Sequence, residues 1–575
     1  MESKGIIHLP NWIRGYRKTD FRFDLIAGIT VGVMLIPQAM AYAMLAGLPP
    51  IYGLYASTIP PVAYALFGTC RQLSVGPAAM ISLLTASGIG LIALPGTENY
   101  IGLVILMTLC VGLIQFTLGV ARLGFLIHFL SNPVILGFSS AAVVLIGLSQ
   151  LKYFLGISIG KSQYLHDIIY GVASQISHTH LLTLAMGSVG LALLLGFRKK
   201  WPSFPGPLVV VTLAILITWI FRLDQQGMGI VGDIPQGFPF PAIPELQFTH
   251  LPTIISTAFA IALISFMEST AVSRAVQARH RDYKIVPNKE LMALGLSNMT
   301  SAFFRAMPVT GGLSRTIVND QAGARSGMAT IVCSILILLT LLFFTPAFYF
   351  LPTAILAAIV IAAVTKFIRV DEIFQLWKLD RKDFWMMLAT FISTLFLGIT
   401  VGIGIGVMLS LAWIIYESSY PHHAELGRVP GTNTFRNTRR FNHLEVQDGV
   451  LIFRFDAPLF FANATRFHEV LTDYLRHRQD PIHAVIVDME SNNSIDSSAI
   501  KMLADLVEEM KGQGIQVNLA EVKGPVRDKL FTSGIAQSLG EHRLFVTIDD
   551  AMRHCTGKRE AHLPSVAFQT NVPRE

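Results

Sequence analysis

The stretch Met307-Pro308-Val309-Thr310-Gly311-Gly312-Leu313-Ser314-Arg315-Thr316 lies between long apolar runs, yet a continuous membrane helix would not be written this way. Pro308 and the glycine pair interrupt regular backbone, and a short helix can restart near Leu313. The first N–H groups of such a helix lack intrahelical partners and carry the positive end of its dipole. That end attracts an anion, and Arg315 adds a full charge. Irregular backbone at membrane depth is tolerated only where protein buries it or where it lines a wet cavity. The plain alternative is a kink, with Arg315 reaching out to an interface. Broken helices in polytopic proteins mark transport sites, so Gly311, Gly312, Leu313, Ser314 and Arg315 are candidate substrate-binding residues.

The rest of the chain fits that setting. Of its 575 residues 52% are hydrophobic and 14% charged, with a mean hydropathy of +0.54. A soluble protein carries about 25% charged residues, so this composition describes an integral membrane protein with a more polar part attached. The net charge of +7 comes from short basic clusters between apolar segments, where basic residues set orientation, and does not point to nucleic acid. The four cysteines, Cys70, Cys110, Cys333 and Cys555, show no metal-ligand or disulfide spacing. No metal or cofactor is expected. Residues 1–23 are polar and basic, without the apolar core of a signal peptide. They read as a cytosolic lead-in.

Apolar segments follow at about 25–45, 51–68, 77–94, 101–120, 132–151, 181–197, 207–221, 253–272, 290–305, 312–320, 328–345, 351–366, 384–400 and 402–417. The third and tenth are short against the roughly 20 residues needed to cross a bilayer. Basic residues crowd the loops after even-numbered segments: Arg71, Arg122, Arg198 to Lys200, Arg274 to Lys289, and Lys366 to Lys382. That pattern places both termini on the cytoplasmic side. Lys152 and Lys161, after segment five, run against it.

Segment three opens with Ser74-Val75-Gly76-Pro77-Ala78-Ala79, and segment ten with Pro308 to Gly312. Each is third in a half of seven. Paired interruptions in corresponding positions point to a midplane site in an inverted-repeat transporter. Pro77, Ala78 and Ala79 therefore join the candidate site, with two helix N-termini facing one cavity. Gln38 and Tyr42 lie one turn apart on the first helix and on one face. They can line the cavity or make a packing hydrogen bond. Glu268 sits inside the eighth helix. An acid buried in a bilayer is costly and functional by default, so Glu268 is the candidate for proton coupling. The alternative is a structural pair with Arg274 or Arg315.

After Tyr420 the composition shifts. Residues 421–440 read as a linker, 441–556 as a small α/β domain and 557–575 as a disordered tail. Strands are expected at 450–455, 484–488 and 515–520, with a weaker one at 544–548, and helices at 463–477, 497–511, 525–533 and 549–555. Asp496 or Ser497 can cap the second of these helices, and Ser497 is also a candidate regulatory phosphorylation site. Neither part shows a nucleophile–base grouping or a phosphate loop, so an enzyme is not expected.

Pro49-Pro50-Ile51-Tyr52-Gly53-Leu54-Tyr55-Ala56-Ser57, Gly68-Thr69-Cys70-Arg71, Ser74-Val75-Gly76-Pro77, Thr310 to Thr316, Trp377-Lys378-Leu379-Asp380 and Leu426 to Thr432 together resemble the sulfate permease family, equivalent to the animal multifunctional anion exchangers. Cys70 departs from that family's usual serine. The C-terminal domain resembles STAS, a sulfate-transporter and anti-sigma-antagonist domain. The resemblance implies an all-α membrane domain spanning 24–420, built as a seven-plus-seven inverted repeat with core and gate groups, and a cytoplasmic STAS domain. It implies a homodimer and elevator-like movement of the core. It also carries substrate contact onto Gln38, Tyr42, Pro77 to Ala79 and Gly311 to Arg315, and coupling onto Glu268. The expected activity is sulfate uptake with protons. Sodium-coupled bicarbonate or dicarboxylate carriage, or anion exchange or a channel, are the alternatives. The expected surroundings are a cell membrane, with a bacterial inner membrane suggested by the pI and short extensions, and a STAS-binding protein as a further partner. An alternative from another class makes the membrane part an anchor for a signalling STAS domain.

Overall fold

The computed structural model describes residues 11–125, 131–159, 164–201, 205–244, 248–280, 283–365 and 370–557. The start of the lead-in, nearly all of the expected tail, and Lys161, Arg281, Lys366 and Arg369 lie outside the described residues. The chain divides into two compact units, Met1–Ser410 and Leu411–Glu575.

Fourteen helical segments arise where the apolar runs predict them. The first half holds α1 (Lys18–Leu45), α2 (Ile59–Phe67), α3 (Ala79–Ile89), α4 (Glu98–Val120), α5 (Asn132–Ser149), α6 (Leu181–Lys200) and α7 (Gly206–Phe221). The second holds α8 (Leu251–Gln277), α9 (Pro287–Phe303), α10 (Leu313–Gln321), α11 (Met328–Leu339), α12 (Thr353–Val364), α13 (Arg381–Leu397) and α14 (Ile399–Ser419). Seven helices among the described residues are long and apolar enough to cross a membrane alone. Segment two is broken, because a separate turn of helix at Ile51–Tyr55 precedes α2, whose first turn takes Pro60 and Pro61. Segment eleven continues from α11 into a π turn at Thr340–Phe344. Helices at Leu165–Gln175 and Val370–Leu379 fill stretches outside the expected spans.

The third and tenth segments are the interrupted ones. Before α3, Val75–Gly76 forms β1, and before α10, Thr310–Gly311 forms β2. The two pair antiparallel, Val75 with Gly311 and Gly76 with Thr310. This pairing satisfies backbone groups that a broken helix exposes. Packing follows the same exchange of halves. α1 packs on α10 and α11 as α8 packs on α3 and α4; α9 packs on α4 as α2 packs on α11; α13 packs on α5 as α6 packs on α12. Helices α1–α4 and α8–α11 thus form one group around the paired strands, with α5–α7 and α12–α14 outside it. The α4–α9 contact is very close. A Cβ on Gly295 would stand 2.6 Å from Phe116 N and 2.8 Å from Gly112 O, so only glycine lets these backbones approach.

The second unit is a six-stranded sheet in the order β4-β3-β5-β6-β7-β8. Its strands are β3 (His423–Arg428), β4 (Phe435–Asn437), β5 (Val450–Phe455), β6 (Ala484–Asp488), β7 (Gln516–Ala520) and β8 (Leu544–Phe545). The run β5 to β8 is parallel, while β3 pairs antiparallel with both β4 and β5. The helices are α15 (Ala464–His477), α16 (Ser497–Gly512), α17 (Gly524–Thr532), α18 (Ile535–Leu539) and α19 (Ile548–Cys555). Phe453, Phe455, Phe467, Val485, Leu503 and Leu519 fill one face of the sheet and are fully buried. β3 and β4 correct the expectation of a linker at 421–440. Ala424, Leu426 and Gly427 are the buried residues of β3, whereas His423, Glu425 and Arg428 are only half-buried, so the strand reads as polar chain. Arg478 fastens it, bonding Glu425 at 2.6 Å and Asp480 at 2.8 Å. The hydrogen bond from Arg478, helped by Gly449 N–H, pulls the Asp480 carboxyl down to about 2. The weaker strand expected at 544–548 spans only Leu544–Phe545, since α19 begins at Ile548.

Candidate functional site

The α3 and α10 N-termini are set by a web of buried hydrogen bonds. Gly312 N–H donates to Ser74 O at 3.0 Å, and Ser74 N–H to Thr316 Oγ1 at 3.0 Å. Asn319 Nδ2 donates to Gln72 O at 2.8 Å. α8 grips β2 from behind, since Gly311 N–H donates to Ser269 Oγ at 2.9 Å and Thr310 Oγ1 to Ser265 O at 3.0 Å. The N-cap residues Ala78 and Gly312 are extended, and neither helix start is capped by a side chain of its cap residue. The dipoles of both helices therefore end at the same place.

Arg315 lies in the first turn of α10 and is 2% exposed. Its Nη1 donates to Pro77 O at 2.7 Å, the last carbonyl but one before α3. Its Nε and Nη2 are buried without a hydrogen-bond partner, and no carboxylate stands within ion-pair distance among the described residues. A buried guanidinium with two open donor positions is costly unless an anion completes it, and its fork suits an oxyanion. Gly312 makes the room, because a Cβ there would meet Arg315 Cζ at 2.7 Å.

These groups open on a cavity of about 40 Å³. Gln38 and Tyr42 of α1 line it, with Ala78, Ala79 and Met80 at the start of α3. Glu268 of α8, Gly312 to Arg315 of α10 and Ala363 of α12 complete it. Among the residues singled out from sequence, Pro77 contributes its carbonyl to Arg315, and Gly311 lies in β2 behind the lining. Gln38 Oε1 and Glu268 Oε2 are also buried without partners. Glu268 is partly exposed to the cavity although it lies mid-helix, and it forms no ion pair with Arg274 or Arg315 among the described residues. Ser497 is elsewhere, exposed in the first turn of α16; Asp496, not Ser497, caps that helix by accepting from Ala499 N–H at 2.8 Å.

A larger cleft of about 430 Å³ lies at the far ends of α3 and α8, lined by Ser87, Ser256 and Thr257 and by residues 397–401. Among the described residues no charged side chain lines it, so the smaller cavity is the better anion site. Met80 and Ala363 carried no sequence signal, being apolar residues in apolar helices. Ser265 and Ser269 stand four residues apart on one face of α8, and that spacing was the available clue to their grip on β2.

The architecture and this cavity define a multi-pass membrane transporter joined to an α/β domain. The sequence profile of the Sulfate permease family matches residues 21–390, and that of the STAS domain residues 443–551. The chain belongs to the sulfate permease family, a family of transporters and not of enzymes. Sulfate transporter 4.1, chloroplastic, of Arabidopsis thaliana is 40% identical over 562 residues, covering 95% of this chain and 82% of the relative. High affinity sulfate transporter 2 of Stylosanthes hamata is 34% identical over 568 residues, covering 95% and 86%. The murine Solute Carrier 26 family member A9 anion transporter, solved in the inward-facing state, aligns with a TM-score of 0.88 at 26% identity, covering 95% of this chain and 93% of that one. The transmembrane domain of a cyanobacterial bicarbonate transporter shares the fold at 22% identity and a TM-score of 0.59, covering 69% and 98%.

Proposed function

We propose that this protein carries sulfate across a membrane together with protons, by alternating access. The carrying observation is the pair of open donor positions on Arg315, buried where the α3 and α10 N-termini meet. Backbone N–H groups, two dipole ends and a guanidinium fork together offer a dianion what water otherwise supplies. The relatives named as sulfate transporters, similar along nearly the whole chain, favour sulfate among oxyanions. Glu268 faces the same cavity with a buried, unpartnered oxygen. A proton taken up there offsets one charge of the anion while the group α1–α4 and α8–α11 shifts, elevator-like, against the rest. Basic loops after even segments put both ends of the chain in the cytoplasm. The protein works as a homodimer, and Ser497, exposed at a helix start, is its regulatory phosphorylation site.

The test is radiolabelled sulfate uptake into proteoliposomes, with and without an inward proton gradient and with sodium varied separately. Gradient-stimulated uptake is expected. Arg315→Ala should abolish it in folded protein, and Glu268→Gln should transport without response to the gradient. Normal uptake by Arg315→Ala removes the site assignment. Absence of sulfate flux in folded wild-type protein passes the assignment to bicarbonate or a dicarboxylate.

A further inference from the structure

α9 contributes nothing to the cavity lining, yet it carries a stripe of buried polar side chains. Glu290, Ser297, Asn298 and Ser301 are each 0% exposed. Their spacing of seven, eight and eleven residues puts them on one face of the helix. In a membrane helix such a stripe is costly unless every group is bonded, and here the partners are specific.

The end of the stripe that starts the helix serves the first half of the chain. Glu290 accepts from Thr69 N–H at 2.6 Å, Thr69 Oγ1 at 2.5 Å, Cys70 N–H at 3.2 Å and Tyr64 Oη at 2.7 Å. Tyr64 belongs to α2, and Thr69 and Cys70 to the short connection from α2 to β1. Ser297 Oγ donates to Pro60 O at 2.6 Å. The other end serves the second half. Asn298 Oδ1 accepts from Val309 N–H at 2.8 Å, and Asn298 Nδ2 donates to Val309 O at 3.1 Å. Ser301 Oγ donates to Met307 O at 2.7 Å. Val309 immediately precedes β2. Asn298 thus grips both polar groups of one backbone unit, as a neighbouring strand would. Its Nδ2 also reaches Gln115 Oε1 at 3.0 Å, and Gln115 Nε2 donates to Ala262 O and Ser265 Oγ at 3.1 Å each. α8 is therefore in the same network.

We propose that α9 is the ruler of the anion site: Asn298 and Glu290 are positioning residues that fix the α10 and α3 starts relative to one another. The opposed helix ends and Arg315 meet a ligand only at a set separation. One rigid helix, bonded to Val309 at the entry to β2 and to Tyr64, Thr69 and Cys70 on the way into β1, holds that separation while the group moves. Loosening either grip shifts helix starts by tenths of an ångström, which weakens binding and blurs discrimination between oxyanions of different size, without removing any group that touches the anion.

This inference rests on the anion-site reading above, and the experiment separates the two. The full chain is reconstituted in liposomes, and initial uptake rates are measured for sulfate and for the larger molybdate, with Arg315→Ala as the blank. Asn298→Asp keeps the acceptor for Val309 N–H and loses the donor; Glu290→Gln keeps one acceptor oxygen. Both are isosteric. For each, KM for sulfate is expected to rise about tenfold, the size of one lost buried hydrogen bond, while the maximal rate per folded molecule is retained. The sulfate-to-molybdate preference should fall in parallel. A merely structural role predicts less folded protein with wild-type KM and preference, and that outcome overturns the proposal. Should Asn298→Asp fail to fold, Glu290→Gln alone decides it by the same two readouts, and Gln115→Glu, which keeps the acceptor for Asn298, replaces it. Active Arg315→Ala would instead defeat the anion-site reading.

Discussion

Arg315 has one nitrogen held by Pro77 O and two left open, and its guanidinium lies against Gly312 in the space a Cβ there would fill. That contact yields a prediction. In Gly312→Ala the new methyl would lie within 2.7 Å of Arg315 Cζ and Nη2, so the side chain must swing off its bond to Pro77. The backbone at Gly312 has φ −92 and ψ 120, which alanine adopts without strain, so folding should survive. The expected result is wild-type thermal stability with sulfate affinity down about tenfold, the size of one lost buried hydrogen bond, checked by KM in the uptake assay. Unchanged KM would mean that the guanidinium geometry does not matter. The charged and polar cavity residues Gln38, Glu268 and Arg315 were legible in the sequence because a polar group in an apolar run has few cheap explanations. Asn298 and Gln115 meet the same criterion, but nothing in the sequence says which backbone they bond. Asn298 sits in Ser297-Asn298-Met299-Thr300-Ser301, where polar residues crowd together and no one of them stands out. Glu290 follows Lys289 in a basic loop and reads as a surface acid, although it is 0% exposed.

At the scale of elements, the fourteen segments were visible because each apolar run ends at a charge, a proline or a glycine. The breaks at Pro77 and Pro308 to Gly312 were visible for the same reason, but their pairing as β1 and β2 was not. Two residues per strand give no alternation to read, and only the tertiary fold brings Val75 opposite Gly311. Close helix contacts are equally hidden, since a glycine in a membrane helix does not say what it faces. Gly295 faces backbone on α4, at Phe116 N and Gly112 O. Backbone cannot retreat as a side-chain tip can, so Gly295→Val should force α4 and α9 apart. Overpacking of this kind costs about 1–3 kcal/mol. A thermal unfolding midpoint below wild type is expected. In the glycine-tolerant contrast Gly147→Val no atom stands within 4 Å of a Cβ, and the midpoint should hold. Equal midpoints for the two would mean that the α4–α9 approach is not tight. In the second unit, sequence located β5, β6 and β7 from buried apolar runs and missed β3 and β4, which lie at the polar edge of the sheet.

At the scale of the whole membrane unit, two groups of helices meet, and movement between them is what the proposed mechanism needs. The larger cleft lies where they part. Ser256 of α8 belongs to the group that carries the site, and Thr400 of α14 to the group outside it; both line the same cleft of about 430 Å³. If the site-bearing group shifts against its neighbours, the separation of these two residues must change during each cycle. If transport needs only local rearrangement around Arg315, it need not. Ser256→Cys combined with Thr400→Cys tests this, in a background with the half-buried Cys110 and Cys555 replaced by alanine; the other native thiols, Cys70 and Cys333, are buried. A short, cleavable bifunctional thiol reagent should halt sulfate uptake in the double variant and leave each single variant active. Reduction of the linker should restore uptake, which separates tethering from damage. High cross-linking yield with undiminished uptake would rule out relative movement at this cleft, leaving a carrier whose anion site opens without displacement of the helices that hold it.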